Sequence, residues 1–122
     1  MSYMPRQKST INKRAVGSHY EGLATAYLLE KGYEILENNF RCRLGEIDII
    51  ARDNEYIVFI EVKYRKTKQF GYPREAVTYQ KIMHITRTAQ YYLLTKLGYE
   101  KACRFDVIEI LDETITHLEA VF

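Results

Sequence analysis

Gly45-Glu46-Ile47-Asp48-Ile49-Ile50-Ala51-Arg52-Asp53-Asn54-Glu55-Tyr56-Ile57-Val58-Phe59-Ile60-Glu61-Val62-Lys63-Tyr64-Arg65 is the stretch that decides the fold. Residues 46–52 alternate: Glu46, Asp48 and Ile50 fall on one face of a strand, and Ile47, Ile49 and Ala51 on the other. Asp53-Asn54 has the chemistry of a tight hairpin turn. Tyr56 to Arg65 is a second run rich in β-branched and aromatic residues, which predicts the partner strand. By the same alternation Glu61 and Lys63 share a face with Ile57 and Phe59. Polarity thus enters only at the far end of an otherwise apolar strand.

Outward from this hairpin the elements follow by period and punctuation. From Gly17 the apolar residues Leu23, Ala24, Tyr27 and Leu28 recur at helical steps, and Lys31-Gly32 ends the helix. Residues 33–40 form a short strand, joined to the hairpin by a basic turn through Arg41, Arg43 and Gly45. Beyond a basic loop over 66–73, Tyr79, Ile82, Met83, Thr86, Ala89, Leu93 and Leu97 mark the stripe of a long helix that Gly98 stops. Tyr27, Tyr79 and Tyr92 lie on or beside apolar stripes and are expected in the core. Residues 103–111 and 115–121 give two last strands, with a turn at Asp112-Glu113. The order α-β-β-β-α-β-β predicts a mixed α/β fold: one domain over 15–122 behind a flexible basic arm over 1–14.

A chain of 122 residues with 47% hydrophobic and 28% charged content is an ordinary globule of one domain. No apolar run approaches the roughly 20 residues that span a bilayer, and the basic start lacks a signal-type apolar region. No membrane partner is expected, and the two cysteines, Cys42 and Cys103, suit a cytoplasmic protein better than a disulfide scaffold. The net charge is only +2, but it is unevenly spread. Residues 15–62 carry four basic and nine acidic side chains, whereas 63–87 carry seven basic and one acidic. An acidic cluster flanked by basic segments suits a site that binds cations and touches a polyanion around them, although solvated faces produce the same pattern.

Asp48, Glu61 and Glu46 are three carboxylates at the end of core-quality strands, accompanied by the ammonium of Lys63. Such a group is costly unless solvated in a cleft or engaged with a ligand. Oxygen ligands alone favour Mg2+ or Mn2+, and no His or Cys stands at a spacing that suits zinc. An acid followed one hairpin later by Glu-x-Lys is the hydrolytic core of phosphodiester cleavage: carboxylates for the cation, a lysine for the charge of the transition state. The competing reading is a set of cross-strand ion pairs, Glu61 or Asp48 with Lys63. Arg41, Arg43, Arg65, Lys66 and Lys68 flank these residues and are candidate phosphate contacts. Lys81, His84 and Arg87 recur at three-residue steps along the long helix and are candidates to line a groove, the last two reading better as its solvated face.

The motifs Gly17-x-x-x-Glu21-x-x-Ala24, Gly32-Tyr33, Asn39-Phe40-Arg41, Gly45-Glu46-Ile47-Asp48-Ile49-Ile50 and Phe59-Ile60-Glu61-Val62-Lys63-x-Arg65 closely resemble the YraN-like family of small, uncharacterised bacterial proteins. Phe70-Gly71-x-Pro73, Ala76-Val77, Lys81, Arg104-Phe105-Asp106-Val107 and His117 extend the resemblance over about residues 12–122. That family is similar in turn to the PD-(D/E)xK nucleases, relatives of restriction endonucleases and archaeal Holliday-junction resolvases. The resemblance implies a restriction-endonuclease-like mixed central sheet flanked by helices. It also implies Mg2+- or Mn2+-dependent hydrolysis of DNA, at branched or recombination intermediates, with a homodimer if both strands are cut. Asp48 and Glu61 fall on the metal-binding acids, Lys63 on the catalytic lysine, and Glu21 on the extra acid of resolvase-like members. Glu46 would add an outer contact, and Lys81 joins the nucleic-acid-binding set. Tyr20 stands where the family has a small residue, and its ring would crowd Glu21; Ile47 replaces the superfamily proline. The alternative is a nucleic-acid-binding module of the same fold that does not cleave.

Overall fold

The computed structural model describes residues 5–65, 78–98 and 102–122, with side chains from Ser18 onward. Its elements are α1 (Pro5–Glu30), β1 (Glu34–Cys42), β2 (Gly45–Asp53), β3 (Tyr56–Arg65), α2 (Tyr79–Tyr92), β4 (Cys103–Leu111) and β5 (Thr114–Leu118). The α/β order is the expected one. One sheet runs β1-β2-β3-β4-β5. Its first three strands are an antiparallel meander, β3 and β4 are parallel, and β5 returns antiparallel. A parallel pair needs a crossover, and α2 lies within it.

The helices cover opposite faces. Ala24 and Leu28 of α1 pack on Ile49, Ala51, Val58, Ile60, Ile108 and Ile110. Ile85, Ala89 and Tyr92 of α2, with Leu93, pack on Phe40, Ile47, Ile50, Ile57 and Phe59. The middle of β3 is therefore buried on both faces, which is why Ile57 to Ile60 reads as continuous apolar sequence and not as alternation. Turn chemistry behaves as expected: Asn54 between β2 and β3, and Asp112 and Glu113 between β4 and β5, take positive φ.

Four expectations change. First, α1 begins at Pro5, so much of the basic start is helical; a proline at the first helical position costs no hydrogen bond. Second, the buried face of α2 is Ile85, Thr88, Ala89 and Tyr92, and Tyr79, counted as core, is 77% exposed. Tyr79 opens the helix, ahead of the turn that meets the sheet. Third, the chain after Leu118 leaves the sheet: Ala120 takes φ 53, its amide donates to Asp106, and Phe122 stacks on Phe105. Fourth, the alternation expected over 46–52 breaks at Asp48, because Ile47 joins the α2 side and Ile49 the α1 side.

Gly45 packs tightly against α2. A Cβ there would lie 2.7 Å from Thr88 Oγ1, on a buried hydroxyl already bonded to the His84 carbonyl, and the backbone has φ +153. Gly45→Ala should cost about 1–3 kcal/mol by overpacking. Urea unfolding checks this; an unchanged midpoint would mean that α2 shifts aside freely.

Candidate active site

The hydrogen-bonded pairing of β2 with β3 runs from Asp53↔Tyr56 to Ile49↔Ile60 and ends there. β2 nevertheless stays paired with β1 to Gly45, and β3 with β4 to Arg65. The two central strands thus part at one end of the sheet. Asp48 sits in the fork: its Oδ2 accepts the Val62 backbone N–H at 2.8 Å, replacing a carbonyl of the ladder. This is the reason for the broken alternation, since the Asp48 side chain is turned toward β3. On β1, Asn39 falls opposite Asp48, between the pairs Asn38↔Ile49 and Phe40↔Ile47, and takes φ 56.

Gly45, Glu46, Asp48, Glu61, Lys81, His84 and Ile85 line a partly open cleft of about 280 Å3 at the fork. Asp48 and Glu61 are thus brought together from two strands. Glu61 Oε2 receives Lys63 Nζ at 2.9 Å and also the ammonium of Lys81 from α2. Glu61 and Lys63 do form an ion pair, but along one strand and not across two, and Lys81 of α2 joins it. Thr78 caps α2 through its Oγ1, which accepts the Lys81 backbone N–H at 3.2 Å and fixes the turn that carries this lysine. Glu46 lines the cleft, but its carboxylate pairs with Arg41 at 3.1 Å. Glu21 is bonded to Asn39 Nδ2 at 2.9 Å.

Burial raises the pKa of Asp48 to about 6, opposed by the Val62 amide and reinforced by the charges of Glu61, Glu21 and Glu46. Two ammoniums on one carboxylate repel each other, and the two lysines diverge. Burial pulls Lys63 down, but its contacts with Lys81 and Glu61 outweigh it, and its pKa stands above the usual lysine value. Lys81 is lowered, by burial and by Lys63, against the opposing pull of Glu61.

The remaining expected residues are spread more widely. Arg41 and Arg43 are exposed and line an adjoining cleft with Leu44, Glu46 and His84. Arg65 is turned onto buried Glu109, Nε to Oε1 3.7 Å, with its side chain only 12% exposed; it is not presented to solvent as a phosphate contact would be. Lys66 and Lys68 lie outside the described residues. Tyr20, expected to crowd Glu21, stacks on Tyr64 with ring centroids 3.8 Å apart. Its hydrogen bond with Tyr64 and partial desolvation push its pKa to about 12. Stacking draws the ring toward β3. One residue of the site was missed: Asn39, whose motif carried no assigned role. His84 is exposed, as a solvated helix face requires, and it also lines the cleft.

Among the described residues no three His, Cys, Asp or Glu side chains converge closely enough to hold an ion as they stand. Without a counter-charge, carboxylates at this spacing repel, and here Glu61 is turned to lysines and Glu21 to an amide. The donor chemistry still fits a hard cation: Asp48 and Glu61 line one cleft, and mutual repulsion contributes to the raised Asp48 pKa. A second polar cluster lies on the α1 face. Asp106 accepts both Arg104 Nε and an Arg104 terminal nitrogen at 3.0 Å, His117 Nε2 at 2.8 Å and the Ala120 amide. Arg104 also reaches Asp53 at 3.1 Å and the Tyr33 hydroxyl at 2.7 Å. His117 thus makes a structural hydrogen bond.

The family model described as "Uncharacterised protein family UPF0102" matches residues 20–110, which hold all these acids and lysines. The chain belongs to the UPF0102 family. A UPF0102 protein of Lachnoclostridium phytofermentans is 51% identical over 113 residues, covering 92% of this chain and 96% of the relative. Those of Caldicellulosiruptor bescii and Persephonella marina are 50% and 45% identical, covering 82% and 87% of this chain and 85% and 91% of their own lengths. The UPF0102 match is the family that the sequence motifs resemble. No helix among the described residues is long and apolar enough to cross a membrane.

Proposed function

We propose that this UPF0102 protein is a Mg2+- or Mn2+-dependent endonuclease acting on DNA. One observation carries the reading: Asp48 and Glu61 face one cleft from two strands that part there, with Lys63 two residues along from Glu61. Asp48 and Glu61 would hold the cation, with Glu21 and Glu46 adding negative charge around it. Bound there, a divalent cation would polarise a phosphodiester and lower the pKa of a water. Lys63, whose ammonium lies 2.9 Å from Glu61 Oε2, would act as a hydrogen-bond donor and positive charge and not as a base. Its ammonium stabilises charge developing on the phosphate. Arg41 and Arg43, exposed beside the cleft, would hold flanking phosphates and make affinity fall steeply with salt.

The test is cleavage of linear, supercoiled, flapped and four-way-junction DNA with Mg2+, Mn2+ or EDTA. Lys63→Met keeps the apolar stem and removes the charge, so folding should survive and kcat should fall on the order of 10²–10³, with DNA affinity nearly unchanged. If the wild type cuts none of these substrates and Lys63→Met only weakens DNA binding, the cleft is a phosphate-docking surface and the protein a non-cleaving binding module.

A further inference from the structure

Glu61 carries one cation more than an ion pair needs. Lys63 reaches its Oε2 from the same strand, and Lys81 reaches the same oxygen from α2. Together they place two positive charges against one carboxylate in the cleft that Asp48 also lines. Two ammoniums on one oxygen supply the charge of a divalent ion, but from side chains that can move. We propose that Lys81 is a resident counter-ion of the acidic site, holding Glu61 while no cation is bound and yielding it when a divalent cation binds at Asp48 and Glu61. This inference rests on the metal-dependent reading above.

The geometry also says which lysine yields. Lys63 follows Glu61 by two residues on β3, whose backbone is paired with β4 on both sides of it, so the two side chains share one face of the strand. Lys81 stands in the first turn of α2, its side chain about a third exposed, and its four-carbon stem can swing outward without moving the backbone. A cation on Glu61 would repel both ammoniums, and the repulsion falls as the distance grows. The mobile one leaves. Outside the acidic pocket Lys81 faces the same cleft mouth as His84, beside exposed Arg41 and Arg43, where a DNA phosphate would meet it. Cation binding would thereby convert an internal ion pair into a phosphate contact.

Titration calorimetry of Mn2+ into the metal-free protein tests this without any cleavage assay. Lys81→Met should bind Mn2+ on the order of tenfold more tightly than wild type, since its competitor is gone. Lys81→Arg, which restores the charge, should return affinity toward the wild-type value, and Asp48→Asn should bind far more weakly. Lys81→Gln serves as a second charge-free variant and should behave as Lys81→Met does. Wild-type-like or weaker affinity in both charge-free variants, with binding still dependent on Asp48, would overturn the role of Lys81 and leave the metal site standing. Absence of Mn2+ binding in the wild type and in every Lys81 variant would overturn both.

Discussion

Asp48→Asn should end metal-dependent cleavage while making the cation-free protein more stable at neutral pH. Two opposite effects from one atom follow from where Asp48 sits. An amide oxygen can still accept the Val62 N–H, so the fork keeps its shape. It cannot supply the anionic ligand that the proposed chemistry requires, and activity should fall by at least about 10²-fold. Stability moves the other way, because the folded state holds the Asp48 carboxyl near a pKa of about 6 against an ordinary 3.8. A raised acid binds more protons folded than unfolded, so its contribution to stability is full below about pH 3.8 and is lost as pH rises through about 6. At about 1.4 kcal/mol per pH unit, the charged form costs roughly 3 kcal/mol at pH 8. Asn escapes that cost, and the melting temperature at pH 8 should rise by roughly 10 °C, with little difference from wild type near pH 4. A fall at pH 8 would show instead that the charged carboxylate supports the fold.

Asp106→Ala should be the most damaging single change to stability. Asp106 is 2% exposed and anchors Arg104, His117 and the Ala120 amide together. Burial alone would raise its pKa, but His117, Arg104 and the Ala120 amide outweigh it and hold the carboxyl below the ordinary value. Removing it leaves the half-buried Arg104 guanidinium with Asp53 and Tyr33 and takes away one of the contacts that hold the tail to β4. Breaking one side of a buried pair costs about 3–5 kcal/mol, a large part of the roughly 5–15 kcal/mol that holds a small domain. The sign in pH is the reverse of Asp48. Stability from a depressed acid is present above pH 3.8 and lost as pH falls through the lower folded value, so the variant should lose part of the wild type's acid-side slope. Urea unfolding at pH 7 and at about pH 2.5, below the ordinary carboxylate value, measures both. A cost under about 1 kcal/mol would mean that water solvates the cluster in place of Asp106.

The two sites differ in how visible they were in the chain. Asp48, Glu61 and Lys63 sit on strands whose period and turn could be read directly, and β3 and β4 begin and end where alternation and turn residues put them. The Arg104–Asp106–His117 cluster announced itself only as residues without roles. Its members come from β4 and β5, with Tyr33 ahead of β1 and Asp53 at the end of β2, and no spacing records that these meet.

What the sequence determined alone is what short-range forces decide. Alternation set the strands, Gly32 and Gly98 in left-handed conformation ended the helices, and Asn54, Asp112 and Glu113 made the turns, because each depends on a few neighbouring residues. Tertiary structure decided the rest. It put Lys81 on Glu61, turned Arg65 onto Glu109, moved Ile47 to the α2 side and sent the Tyr20 ring to Tyr64. Each of these depends on which strands stay paired and where a helix docks, and both are settled by burial summed over the whole core, which no local pattern carries.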